Sequence, residues 1–133
     1  MLSLALALFM QDPVHAVAVI HVGEDRTGAA VATRLEDEID RSPRFTLPSR
    51  AKPGRAYTLH IVSLGTDYSM DQISVYSVAL MDGSDELLAH TVGYCSPGNA
   101  DACAAAVYEW AAPAIERNPP DMADLANCAI FGC

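Results

Sequence analysis

Basic residues are almost missing from the second part of this 133-residue chain. Residues 56–133 contain ten acidic residues and a single basic one, Arg117, so this part carries the whole formal net charge of −9. Nucleic acids and anionic lipid surfaces are bound through Lys and Arg, which replace the counterions condensed on the phosphates. We therefore expect no nucleic acid among the partners of this protein.

Sequence motifs of catalysis and metal binding are also missing. There is no G-x-S-x-G elbow and no H-E-x-x-H helix, and the cysteine spacing lacks the close pairs that bind structural zinc. Gly23 and Gly28 bracket a loop between a predicted strand and helix, but two alanines follow Gly28 where a phosphate-binding loop has Lys and Ser or Thr. We predict a non-enzymatic protein without cofactor or metal, with weak anion binding at this loop as an alternative.

No apolar run reaches the roughly 20 residues that a membrane-spanning helix needs. The run within residues 1–10 has the length of the apolar part of a signal peptide, and Val14 and Ala16 occupy the two positions that signal peptidase inspects. We predict cleavage after Ala16, which leaves residues 17–133 as one periplasmic or secreted domain with a short tail at 118–133. No basic residue precedes the run, and the alternative is a buried N-terminal helix or strand.

Cysteine is sparse, and its four copies all lie in the last third of the chain: Cys95, Cys103, Cys128 and Cys133. An even number behind an apolar leader indicates two disulfides in an oxidising compartment. Of the three pairings we favour Cys95–Cys103 and Cys128–Cys133, because Cys95 ends a predicted strand and Cys103 begins the next helix. Four reduced thiols in a reducing compartment are the alternative.

The first part of the chain predicts a strand, a helix and a short strand. Residues 16–22 are a continuous apolar run, which is typical of a strand buried on both faces. Val31, Leu35 and Ile39 then recur at every fourth position, which places them on one face of a helix. A short strand follows at residues 45–47.

Three longer strands and a second helix complete the predicted fold. Residues 56–64, 72–81 and 86–95 are rich in β-branched and aromatic side chains and are separated by Gly, Asp and Ser turns. Residues 100–117 form an alanine-rich helix with Trp110 on its apolar stripe. We predict a two-layer α/β (α+β) sandwich: a mixed, mostly antiparallel sheet with two helices on one face, in the order β-α-β-β-β-α.

Alternation along these strands separates two faces of the sheet. On the last strand, Gly93 and Cys95 share the face with small side chains, which suits a helix lying on it. The opposite face is then left open, and we predict that His60, Tyr76, His90 and Tyr94 lie there. This open face is the best candidate surface for a protein partner or a second copy. The alternative is that these are ordinary residues of amphipathic strands.

The basic residues that the chain does have include a cluster in the loop of residues 50–55, where Arg50, Lys52 and Arg55 surround a Pro-Gly pair. Loops held by a rigid scaffold often carry function, so this loop is a second candidate for contact with a partner or an anion. A solvated loop without a partner is the alternative.

The order of these segments resembles that of a known class of domains. An apolar leader, a buried strand, a loop and an alanine-rich helix that ends in SPRFTL (residues 42–47) are followed by hairpin strands and a closing helix. Over residues 16–117 this resembles the small α/β cell-envelope domains typified by the N-terminal domain of TolB and by related lipoproteins. The resemblance implies a non-catalytic binding or assembly role in the envelope and assigns no functional residue. A small enzyme or anion binder that uses the loops at 23–28 and 50–55 is the alternative.

The leader and the disulfides can be tested together by intact mass. Protein expressed with its own leader in an exporting host, and alkylated without reductant, is expected to lack its first 16 residues and to carry no alkyl group, because all four thiols are oxidised. A full-length chain with four alkylated cysteines would contradict both predictions.

Overall fold

A computed structural model describes residues 15–48, 56–66 and 73–118 of the protein. The elements, in chain order, are β1 (His15–Val22), α1 (Arg26–Arg41), β2 (Phe45–Thr46), β3 (Tyr57–Gly65), β4 (Ser74–Met81), β5 (Leu87–Cys95) and α2 (Ala100–Arg117). The predicted two-layer α/β architecture is confirmed. The observed order is β-α-β-β-β-β-α. The short strand predicted at residues 45–47, which the predicted order did not count, forms as the two-residue β2 and pairs with β1 at the edge of the sheet.

The sheet is mixed and has the strand order β2-β1-β3-β4-β5. β1 is parallel to both of its neighbours, whereas β3, β4 and β5 form an antiparallel meander. Parallel neighbours need a crossover, and α1 lies in the connection that leads from β1 to β2. Both helices pack on the same face of the sheet, where they enclose a single cluster of buried side chains.

Helix α1 forms where the apolar periodicity predicts it. Asp25 caps its N-terminus by accepting a hydrogen bond from the backbone N–H of Gly28 at 2.7 Å. Val31, Leu35 and Ile39 are almost completely buried against the sheet, as their spacing predicts. The polar residues of α1 lie on its solvent side.

Helix α2 packs through small side chains more than through its large ones. Ala104, Val107, Ala111 and Ile115 are buried, and the alanines allow the helix to lie close to its neighbours. Trp110 is only half-buried at the margin of the core, although its position on the predicted stripe placed it inside. The apolar stripe of α2 is therefore rotated slightly from the one that the sequence indicated.

β1 is buried on both faces only at its start, where Ala16 and Val17 are both buried, so the prediction of a strand buried on both faces was wrong for the rest of β1. Val17 lies in the core, but Ile20 and Val22 on the opposite side are exposed. A continuous apolar run gives no information about which face is covered. Here both helices cover the face that includes Val17, and the opposite face is open at Ile20 and Val22.

The predicted cleavage site falls inside this first strand. His15 and Ala16 pair with Phe45 and Thr46 of β2, so cleavage after Ala16 would remove both β1 residues that hold β2 in the sheet. The cleavage itself stays a prediction, since residues 1–14 lie outside the described part of the chain.

A disulfide joins the end of the sheet to the second helix. Cys95, the last residue of β5, is bonded to Cys103 in the first turn of α2, with 6.1 Å between their Cα atoms. This is the favoured pairing of the sequence analysis. The second predicted pair, Cys128 and Cys133, lies outside the described residues.

Tyr76 faces the helices, so its predicted place on the open face was wrong. It is only 8% exposed, and burial raises the pKa of its hydroxyl. Tyr76 pairs with Gly93 of β5 in the strand register. A Cβ added to Gly93 would lie 2.8 Å from the Tyr76 hydroxyl oxygen. The ring therefore fills the space that the glycine leaves, which fixes the phase of β4 with Val75 and Ser77 on the other face.

This contact predicts that Gly93→Ala destabilises the fold. The added methyl group collides with the Tyr76 ring, and overpacking of this kind costs about 1–3 kcal/mol in the free energy of unfolding. Urea unfolding of Gly93→Ala, Tyr76→Leu and the double variant measures the coupling between the two positions. In the Tyr76→Leu background the glycine substitution is expected to cost less than about 0.5 kcal/mol. Equal costs in both backgrounds would contradict the contact.

Candidate interaction surface

The open face is the surface of the sheet opposite the helices, and register assembles it from four strands. Residues that share a lateral position across the strands form rows on this face. The rows are Ala18, Thr58, Met81 and Leu87; then Ile20, His60, Ala79 and His90; then Val22, Val62, Ser77 and Val92; then Leu64, Val75 and Tyr94.

The open face is apolar and accessible over most of its extent. Leu64, Tyr94 and Val92 are 73%, 72% and 69% exposed, whereas Leu59 and Ile61, on the helix side of β3, are 1% exposed. Single exposed apolar residues are common on protein surfaces. A contiguous patch across four strands is not, and such patches usually mark contact with another molecule.

The open face also carries no formal charge, since none of its row members is Asp, Glu, Lys or Arg. The exposed side of α1, in contrast, has alternating charges such as Arg34, Glu36 and Asp37. In a chain with a net charge of −9, the charges are thus kept away from one face of the sheet. This is the polarity expected of a surface that is covered by a partner.

The structure brings together three of the four strand residues that the sequence proposed for this surface. His60 and His90 lie in one row with Ala79 between them, and Tyr94 lies beside Val75. Tyr76 lies on the opposite face, as described above. The second candidate, the loop with Arg50, Lys52 and Arg55, falls outside the described residues.

Most aliphatic members of the open face were missed at the level of the sequence, which placed only Val92 there with His90 and Tyr94. The missed residues are Ile20, Val22, Val62, Leu64 and Val75. Alternation along β3 indicates these residues, because the buried Leu59 and Ile61 alternate with His60 and Val62, which must then lie on the other face. The apolar run of β1 hides the signal, since both of its faces are equally apolar.

The loop from Gly23 to Gly28 was predicted as an alternative, anion-binding site, and the structure shows that a carboxylate of the chain occupies it. Asp25 turns its carboxylate toward the N-terminus of α1, where Oδ2 accepts from the Gly28 N–H. The other oxygen, Oδ1, accepts from the Ser63 hydroxyl at 2.6 Å. A Cβ on Gly28 would collide with Ser63 Oγ, so the glycine allows β3 and the loop to approach closely.

A chain of hydrogen bonds continues from this carboxylate to His21. Ser63 Oγ lies 2.7 Å from His21 Nε2, and the hydroxyl proton of Ser63 is already donated to Asp25. His21 Nε2–H must therefore be the donor. In a serine hydrolase the imidazole accepts the proton of the serine. This arrangement is the reverse, so Ser63 is not activated as a nucleophile.

The Asp25 carboxylate is held in its ionised form. Burial tends to raise its pKa, but the hydrogen bonds from Ser63 and from the Gly28 N–H outweigh burial and keep the pKa below its ordinary value. The hydroxyl of Ser74, fully buried next to it, contributes in the same direction although it makes no hydrogen bond within the described residues. A fixed negative charge thus fills the position where the helix terminus would attract an external anion.

This cap predicts an acid-dependent contribution to stability. Because the folded-state pKa of Asp25 is lowered, its stabilisation is present above the unfolded-state pKa and is lost as the pH falls through the folded-state pKa. Asp25→Asn is expected to lower the free energy of unfolding at neutral pH by roughly 1–3 kcal/mol, because one amide oxygen cannot replace two acceptor oxygens.

Urea unfolding at about pH 7 and at about pH 3 tests this, since the variant should lose less stability on acidification than the wild type. Glu24→Gln, a neighbouring exposed position, is the matched control for loss of one charge. An acid dependence that is unchanged in Asp25→Asn would show that the carboxylate does not stabilise the fold.

Comparison with known proteins yields a likeness in fold. No protein-family model and no curated protein sequence matches this chain. The crystal structure of TolB from Acinetobacter baumannii is similar, with a TM-score of 0.57 and 16% identity over 83% of this chain and 30% of that one. Neither helix in the described part of the chain is long and apolar enough to span a membrane. The resemblance to TolB expected from the order of the elements is thus confirmed at the level of the fold.

Proposed function

We propose that this protein is an exported, non-catalytic interaction domain of the cell envelope, which binds a protein partner through the open face. The observation that carries the proposal is the contiguous, uncharged apolar surface formed by β1, β3, β4 and β5. Water contact with these side chains is unfavourable, and covering them with a complementary apolar surface releases that free energy.

The location in the envelope is supported by two further observations. The Cys95–Cys103 disulfide is a bond that persists in oxidising compartments and is rare in reducing ones. The fold is also similar to that of TolB, although this chain spans only 30% of the length of that structure. The partner of the present chain is proposed from its own surface and is not transferred from that protein.

The geometry of the Gly23–Gly28 loop gives less support to an anion binder or an enzyme. An anion at the N-terminus of α1 would have to displace or neutralise Asp25, whose ionised form is stabilised by Ser63 and Gly28. The neighbouring His21 donates its proton toward Ser63 and so has no free base function at Nε2. We therefore prefer the interaction domain to the small enzyme.

Site-specific photo-crosslinking in the producing cell tests the proposal. Benzoylphenylalanine replaces Val92 on the open face or, as a control, Ala106 on the solvent side of α2. A discrete crosslinked product is expected from position 92 and not from position 106, because only the open face is covered by a partner.

Mass spectrometry of the product then identifies the partner protein. The absence of any product from position 92, or a product that forms equally from position 106, would overturn the open face as the binding surface. Both probes replace exposed side chains, so neither is expected to disturb the core.

A further inference from the structure

We infer that the partner that covers the open face is a second copy of this chain, packed sheet against sheet around a two-fold axis. The inference rests on the proposed function, since it names the occupant of the same surface. It follows from the charge, the relief and the size of the open face.

Charge distribution favours self-association at this surface over all others. Each copy has a formal net charge of −9, so two copies repel each other through most approaches. The rows of the open face contain no Asp, Glu, Lys or Arg, and it is there that two like-charged molecules can meet with the least repulsion. A strongly charged partner of another kind would find no complementary charge on this face.

The relief of the open face is complementary to itself. In the middle of β4 the side chains of Ser77 and Ala79 are small and half-buried, which leaves a short trough between Val75 and Met81. β3 next to it carries the larger His60 and Val62, which form a ridge. A two-fold axis parallel to the strands, between β3 and β4, sets the β3 ridge of each copy into the β4 trough of the other. Such an arrangement is isologous and closes after two copies.

The second copy related by this axis also covers the rest of the open face. It sets Ile20 and Val22 of β1 against His90 and Val92 of β5 in the second copy. Two sheets that pack face to face in this way lie about 10 Å apart with their strands nearly aligned, which is the ordinary geometry of a β-sandwich. All four strands of the open face are then buried in a single interface.

The buried area is sufficient for a specific dimer of low affinity. Four strands at about 4.8 Å and eight residues at about 3.3 Å give a face of about 19 by 26 Å. Two such faces together bury about 1,000 Å², which is near the lower limit for a specific interface. We therefore expect dissociation constants in the micromolar range.

Sedimentation velocity of the purified, disulfide-bonded protein between about 1 and 200 μM tests the inference. The wild type is expected to shift from the monomer mass to twice that mass as concentration rises. Val62→Lys and Val92→Lys each place a lysine in the interface and are expected to raise the dissociation constant at least about 100-fold. Ala106→Lys makes the same charge change on the solvent side of α2 and should leave the dimer intact. Urea unfolding verifies that each variant is folded.

Each remaining outcome overturns the inference in a distinguishable way. A dimer that survives both sheet substitutions, or that Ala106→Lys also dissociates, forms through another surface. A wild type that stays monomeric at the highest concentration excludes the second copy. If position 92 then crosslinks to a different protein, the proposed function stands without the dimer. If it crosslinks to nothing, both fail together.

Discussion

The structure depends on one constraint, which is that both helices pack on the same face of the sheet. The chain places α1 between two parallel strands and α2 after the meander, and the two helices together cover one face of β1, β3, β4 and β5. A single layer of helices leaves the second face of the sheet without a covering layer in the described part of the chain. The exposure of Ile20 and Val22 on β1 and the existence of the open face both follow from this arrangement. The same constraint explains why charge is concentrated on the helix side, where water is always in contact.

The Asp25 cap shows how packing determines the sequence at the N-terminus of α1. The parallel pairing of β1 with β3 brings Ser63 next to the loop that precedes α1. Because the loop approaches β3 so closely, residue 28 has to be glycine, and the carboxylate of Asp25 satisfies both the helix terminus and the serine hydroxyl. A glycine-bracketed loop between a strand and a helix can thus arise from close packing alone. The spacing resembles that of an anion-binding loop, but the negative charge is supplied by the chain itself.

The sequence predicted the elements better than it predicted their faces. The spacing of Val31, Leu35 and Ile39 determines a helix and its buried side, because a period near 3.6 residues leaves no other alignment. The Cys95–Cys103 pair followed from short separation and a turn. The phase of β4 could not be read in this way, since Tyr76 and its neighbours are all compatible with either face. What fixes it is the contact of the Tyr76 ring with Gly93, which is distant in sequence. His60, His90 and Tyr94 were placed on the open face by alternation, whereas Ile20 and Val22 were hidden in a uniformly apolar run.

An open apolar face and a high net charge act together on association. Exposed β-branched strands alone favour uncontrolled aggregation, because many registers of packing are almost equally good. A net charge of −9 makes two copies repel each other at every contact, and this repulsion is weakest where the face carries no charge. Once two such faces have paired, each complex presents its two helix layers and their charges outward. Further addition then gains little apolar burial and meets like charge. In the proposed dimer the distribution of charge therefore limits association to the open face, and no further copies add once two have paired.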